Sequence, residues 1–255
     1  MTVHRFFLDG PLVQGPDRRL PLSAADLHHA VHVLRVRVGE GLDVVGADGR
    51  TWRVLVTDVR EDGVRATPLE EVSPWPEPHV ALFQGVAKGE KMDDIVRQAV
   101  EVGAEQIVPV LFARTVVRLD SRKRRERGDR WRRVALAAAK QAKRSSVPTV
   151  NDPMSIRDAI VELSQFDGAV VLWEEAEGEA VAEAVRACSL TTDARVAVII
   201  GPEGGLAPEE VEALTGVGAR VATLGHNMLR TETAAIVALA LAISELGGLG
   251  GSGRE

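Results

Sequence analysis

Cysteine is almost absent: Cys188 is the only one in 255 residues. No intramolecular disulfide can form, and a metal site built on paired thiolates is excluded. Also missing is any apolar run near the ~18 residues that a membrane span needs. Met1 to Leu8 carries no apolar stretch of the secretory kind. Together these absences lead us to expect a cytoplasmic protein. No G-x-x-x-x-G-K-[ST] occurs, and no G-x-G-x-x-G stands between an apolar strand and a helix, so the common nucleotide-phosphate cradles are lacking. His28 and His32 have metal-ligand spacing, but His29 breaks the H-E-x-x-H pattern and no nearby acid completes a set, so no metal is expected. What remains is an ordinary globular balance of 45% hydrophobic and 27% charged residues.

Net charge is −6, which by itself argues against a polyanionic partner. Its distribution argues the other way. From Arg114 to Arg144 there are 13 Lys or Arg against three acids, leaving 18 against 34 in the rest of the chain. A patch, not the total, makes the electrostatic footprint for nucleic acid. A solvated helix face with a basic loop would produce the same run.

A proline-rich stretch, Val72-Ser-Pro-Trp-Pro-Glu-Pro78, can continue neither a helix nor a central strand and reads as a linker over 73–78. Residues 1–72 before it are strand-rich. Val3 to Leu8, Leu42 to Val45, Thr51 to Val59 and Val64 to Pro68 alternate as strands, with Asp48-Gly49 a hairpin turn. Ser23 with Asp26 caps a helix that carries Leu27, Ala30, Val31 and Leu34 on one face. Several short strands in so few residues suggest a small barrel.

From 79 to 247 the pattern changes to apolar strands alternating with helical stretches. The strands are Val80 to Val86, Ile107 to Phe112, Ala169 to Trp173, Val196 to Ile200 and Arg220 to Leu224. The helices are Asp93 to Val102, Asp129 to Arg144, Glu179 to Cys188, Pro208 to Leu214 and Thr233 to Leu246. Continuous apolar strands joined by helices predict an α/β fold with a parallel sheet covered on both faces. Residues 248–255 read as a flexible glycine-rich tail. Trp52, Trp75, Trp131 and Trp173 are expected to pack in cores or the linker, and Cys188 to pack in a helix.

Two loops concentrate the chemistry. Ile200-Gly-Pro-Glu-Gly-Gly205 follows a buried strand, and Pro208 opens the next helix. Such loops at the carboxyl ends of parallel strands are where open α/β folds bind ligands. Glu203 would repel phosphate and favour a cation. The second loop, Leu224-Gly-His-Asn-Met-Leu-Arg-Thr-Glu-Thr233, sets Arg230 at a helix start, where the dipole disfavours a cation. Either an anionic ligand or Glu232 would compensate it. Thr231 or Thr233 can cap the helix.

These segments, with His4-Arg-Phe-Phe7, His29-Ala-Val-His-Val-Leu-Arg-Val-Arg37, Lys88-Gly-Glu-Lys-Met-Asp-Asp94 and Arg114-Thr-Val-Val117, resemble the RsmE family of 16S ribosomal RNA uridine-N3 methyltransferases in the SPOUT superfamily. One departure is Lys140-Gln141, where the family usually has Glu-Gln. The resemblance implies a PUA-like RNA-binding β-barrel before a methyltransferase domain whose last segments form a trefoil knot. It implies S-adenosylmethionine as methyl donor, a homodimer, and a uridine of the small ribosomal subunit as target. By the same resemblance Ile200, Gly201, Glu203, Gly204, Gly205, Leu224, Gly225, Met228 and Leu229 would hold the donor. Arg230, Arg144 and Glu203 are candidate catalytic residues. Arg5, Arg35, Arg37, Lys88, Arg114 and Arg118 are candidate RNA contacts. A methyltransferase acting on transfer RNA, a non-catalytic assembly factor and a nucleotide-phosphate enzyme are the competing functions.

Overall fold

The computed structural model describes residues 3–73, 77–175, 179–188 and 193–249. Pro74, Trp75 and Pro76 of the linker, and residues 250–255 of the tail, lie outside the described residues. Two compact units emerge, residues 1–75 joined by 139–146, and residues 76–138 joined by 147–255. The return of 139–146 to the first unit is not visible in the sequence pattern.

The first unit is a five-stranded sheet in the order β1-β3-β4-β5-β2. Its strands are β1 (His4–Phe7), β2 (Arg18–Arg19), β3 (Gly41–Val45), β4 (Thr51–Arg60) and β5 (Gly63–Val72). A hydrogen bond from Asp9 N to Pro21 O, 2.8 Å, joins the chain just past β1 to the chain just past β2, so the two ends of the path meet. Phe6, Leu42, Val44, Val54, Val56 and Val64 fill its core. β5 runs past Pro68, where the sequence suggested an end. A register shift lies between Arg53 and Val54, and Pro68 pairs with Val54 beside it, which is where a strand tolerates a missing N–H.

Ser23 caps α1 (Ala24–His28) as expected: its hydroxyl accepts from Asp26 N at 3.1 Å. The helix then widens into a π turn over His29–Val33. Only Ala30 of that turn is buried, leaving His28, His29 and His32 exposed. The 139–146 segment is fastened here by two charges. Lys140 Nζ pairs with Asp26 Oδ1 at 2.5 Å, and Arg5 donates to the carbonyls of Lys143 and Arg144 while pairing with Asp43 at 3.3 Å. Arg5 is therefore a strut inside the unit and not the RNA contact suggested above; its side chain is 12% exposed.

The second unit is a parallel sheet in the order β12-β10-β11-β6-β7-β8, with β9 on β7. Its strands are β6 (Val80–Gly85), β7 (Gln106–Leu111), β8 (Thr149–Val150), β9 (Met154–Ser155), β10 (Gly168–Leu172), β11 (Val196–Ile200) and β12 (Arg220–Ala222). The helices are α2 (Lys91–Val102), α3 (Ser121–Gln141), α4 (Ile156–Leu163), α5 (Val181–Cys188), α6 (Pro208–Thr215) and α7 (Thr231–Glu245). One sheet face, with Phe83, Val108, Val110 and Ile199, packs on Ala159 of α4 and Val211 and Leu214 of α6. α7 packs on β6 and β11, and also against α2 and α5. Both faces are thus covered, as the continuous apolar strands require.

Three details differ from the sequence expectation. α3 begins at Ser121, not Asp129, because arginine and lysine favour helices and Arg122–Glu126 forms an i,i+4 pair. It ends at Gln141, before Arg144. α4 was not anticipated, although Ser155 caps it with Asp158 as Ser23 caps α1 with Asp26. Among the described residues no helix is long and apolar enough to cross a membrane.

Candidate active site

Parallel register puts Ala222, Leu172, Ile200 and Gln84 in one row across β12, β10, β11 and β6. The loops leaving the first three of these residues enclose a cavity of about 420 Å³. Ile200, Gly201, Glu203, Gly205, Leu224, Gly225, Met228, Leu229 and Arg230 all line it, as the sequence anticipated. Gly204 does not. It faces outward against Arg114, whose Nη1 donates to the Gly204 carbonyl at 3.2 Å.

Buried polar groups brace the loops. The Glu210 carboxylate accepts from Ala113 N at 2.7 Å and from Ala207 N at 2.9 Å, tying the turn after β7 to the start of α6. Thr231 Oγ1 donates to the Gly201 carbonyl at 2.6 Å and accepts from Gln84 Nε2 at 3.0 Å. Gln84 is fully buried and its Oε1 has no partner. Gly85 follows, and a Cβ there would overlap the backbone of Pro202, so the end of β6 can meet the glycine loop only without a side chain.

Charge gathers at the rim. Lys91 Nζ lies 3.5 Å from Glu203 and 3.3 Å from Glu232, and Glu203 also accepts from Lys88 N at 3.0 Å. Burial pushes the Glu203 carboxyl up, but the backbone hydrogen bonds and Lys91 outweigh it and hold the group below the usual carboxylate range. Arg230 is the N-cap residue of α7 and makes no side-chain cap bond. Neither threonine caps this helix, because Thr231 spends its hydroxyl on Gly201. Nor does Glu232 compensate Arg230, since Lys91 takes it. The Arg230 guanidinium is exposed and has no partner among the described residues.

The remaining sequence candidates divide. Arg144 is 6% exposed and does not line the cavity. Arg35, Arg37, Lys88, Arg114 and Arg118 are exposed. Lys91, Gln84, Thr231, Trp173 and Glu174 were not picked out as site residues. Trp131 is a core residue as expected, at 2% exposure, but Trp173 lines the cavity. Burial pushes the half-buried Cys188 thiol up, in keeping with packing.

A parallel sheet with a loop-built, acid-rimmed cavity at its carboxyl edge is where an open α/β fold binds a small ligand, and the comparisons identify the class as RNA methyltransferase. Residues 73–243 match the RNA methyltransferase domain family and residues 22–69 the RNA methyltransferase PUA domain family. The chain is 33% identical over 222 residues to ribosomal RNA small subunit methyltransferase E of Bacillus subtilis, covering 86% of this chain and 87% of the relative. It is 36% identical over 217 residues to the Mycobacterium tuberculosis protein of the same name, covering 83% and 80%. The crystal structure of ribosomal RNA small subunit methyltransferase E from Neisseria gonorrhoeae bound to S-adenosyl methionine superposes with a TM-score of 0.80 at 26% identity, over 94% of this chain and 96% of that one. The chain belongs to the ribosomal RNA small subunit methyltransferase E family.

Proposed function

We propose that this protein transfers the methyl group of S-adenosylmethionine to N3 of a uridine in 16S ribosomal RNA, within the small ribosomal subunit. The observation that carries the reading is the pairing, in one cavity, of the glycine loop 201–205 with the partnerless Arg230. The residues present fit the donor. Leu172, Ile200, Leu224 and Leu229 offer apolar walls, and Glu203 offers negative charge toward a sulfonium. When bound, the donor supplies an electrophilic methyl on positively charged sulfur.

The chain's own residues do the rest. N3 lies on the Watson–Crick edge, so the target base must be unpaired. Losing the N3 proton puts negative charge on the uracil oxygens, and Arg230 meets that charge. Arg230 is favoured over Arg144 because it lines the cavity with a free guanidinium. Glu203, held ionised by Lys88 and Lys91, is a weak proton acceptor and orders the rim instead. Arg35 and Arg37 on the first unit, and Lys88, Arg114 and Arg118 on the second, contact phosphates, which positions RNA without reading its sequence. We assign RNA binding to residues 1–72 and transfer to 79–247, joined by 73–78, in a cytoplasmic homodimer. The chain steps from β11 past β10 to edge strand β12 and returns with α7 on β6 and β11, which supports a knotted C-terminal segment.

Labelled S-adenosylmethionine offered with unmodified small subunits, naked 16S RNA and transfer RNA tests the proposal, with nucleosides identified by mass spectrometry. N3-methyluridine from small subunits is the expected product. Label in transfer RNA alone would overturn the substrate.

A further inference from the structure

Glu174 stands just past the carboxyl end of β10 and lines the cavity. Its carboxylate is exposed there and has no hydrogen-bond or ion-pair partner among the described residues. The other ionised groups lining this cavity are Lys91, Glu203 and Arg230. Lys91 and Glu203 are paired with each other, and Arg230 opens α7. Those three carry both signs of charge, which suits the zwitterionic methionine end of the donor. Beside Glu174 the lining is apolar, with Leu172 and Trp173. An anion standing among apolar groups without a cation is suited to neutral hydroxyl donors.

The carboxylate lies against the glycine loop. Gly205 has φ +70°, and a Cβ on it would overlap Glu174 Oε1. The positive φ favours glycine at 205, and the missing Cβ leaves the acid room beside the loop. A carboxylate offers two oxygens to two adjacent hydroxyls, as acids at strand ends do with ribose in other open α/β folds. Resting on the function proposed above, we infer that Glu174 recognises the ribose 2′,3′-diol of the methyl donor.

Calorimetry on the full chain tests this without turnover. The probes are S-adenosylmethionine, 5′-methylthioadenosine, which keeps the ribose and lacks the amino-acid end, and 2′-deoxy-5′-methylthioadenosine. Glu174→Gln keeps the shape and removes the charge, and a thermal melt confirms that it folds. We expect Glu174→Gln to weaken methylthioadenosine about tenfold, one charged hydrogen bond's worth, and to weaken the 2′-deoxy probe, which keeps only the 3′-hydroxyl, by clearly less. Equal losses on both probes, or no loss on either, would overturn the assignment. A loss confined to S-adenosylmethionine would overturn it in favour of the ammonium group. Wild-type protein that binds none of the probes would instead defeat the functional proposal beneath it.

Discussion

Gln84 Nε2 donates to Thr231 Oγ1 across 147 residues of chain, at 3.0 Å, and the same hydroxyl donates to the Gly201 carbonyl. One hydroxyl thus joins the end of β6, the glycine loop and the first residue of α7. Thr231→Val removes the donor to the Gly201 carbonyl and leaves the buried Gln84 amide only its bond to the Gly85 carbonyl. That substitution should cost about 1–3 kcal/mol per unmet group in urea unfolding. Thr231→Ser should cost well under half as much, since it keeps the hydroxyl. Equal losses for the two variants would show that the methyl group, not the latch, matters.

Arg230→Ala should lower kcat by about 10²–10³, the usual cost of removing one donor aimed at developing charge. Calorimetric affinity for S-adenosylmethionine should stay within a few fold, because the role assigned to the guanidinium is toward the base. Unchanged turnover would remove Arg230 from the chemistry.

Glu203 makes a pH prediction with a definite sign. Its folded-state pKa lies below the ordinary carboxylate value, so its contacts with Lys88 and Lys91 contribute stability that is present above that ordinary value. The contribution is lost as pH falls through the depressed folded pKa. Wild type should therefore be more stable than Glu203→Gln at pH 7, and the gap should close at strongly acidic pH. Paired urea titrations across pH 7 to 3 check this; a gap independent of pH would mean the difference is not ionic.

Arginines in the first unit should separate by role. Arg35→Ala and Arg37→Ala remove exposed charges, so each should reduce the slope of log affinity against log salt by about 0.7 if its phosphate contact is to single-stranded RNA. Arg5→Ala should instead lower the melting temperature, because it takes one of Asp43's two arginine partners, leaving Arg53, and frees the carbonyls of Lys143 and Arg144. A changed salt slope for Arg5→Ala, with stability intact, would restore it as an RNA contact.

How much was legible follows from which signals are local. The glycine loop and the Leu224 to Leu229 loop could be read because each follows an apolar strand and precedes a helix, a pattern carried by consecutive residues. Glu174, Lys91 and Gln84 carry no such pattern. Each is a single polar residue whose meaning comes from a partner or neighbour brought close by the sheet. Arg5 was misread for the same reason: its acceptors at Lys143 and Arg144 are 138 and 139 residues away. Strand pairing across the bulge near Pro68 was hidden because it depends on β4.

The outer face of α7 leads to the last prediction. This helix is apolar nearly all round, with Ala235, Ala238, Leu239, Ala242 and Ile243 buried, yet Val237 is 38% exposed and Leu241 40% exposed. A helix apolar on every side is normally covered on every side. Val237 and Leu241 are one turn apart on the same stripe, and within this chain α7 already packs on α2 and α5. We predict that the second copy of the proposed homodimer covers that stripe. Val237→Glu with Leu241→Glu would then bury two charges at the contact, which a dimer does not tolerate without partners. Sedimentation should show wild type as a dimer and the double variant as a folded monomer. A wild-type dimer that the double variant leaves intact would place the contact elsewhere, and a wild-type monomer would remove the dimer altogether.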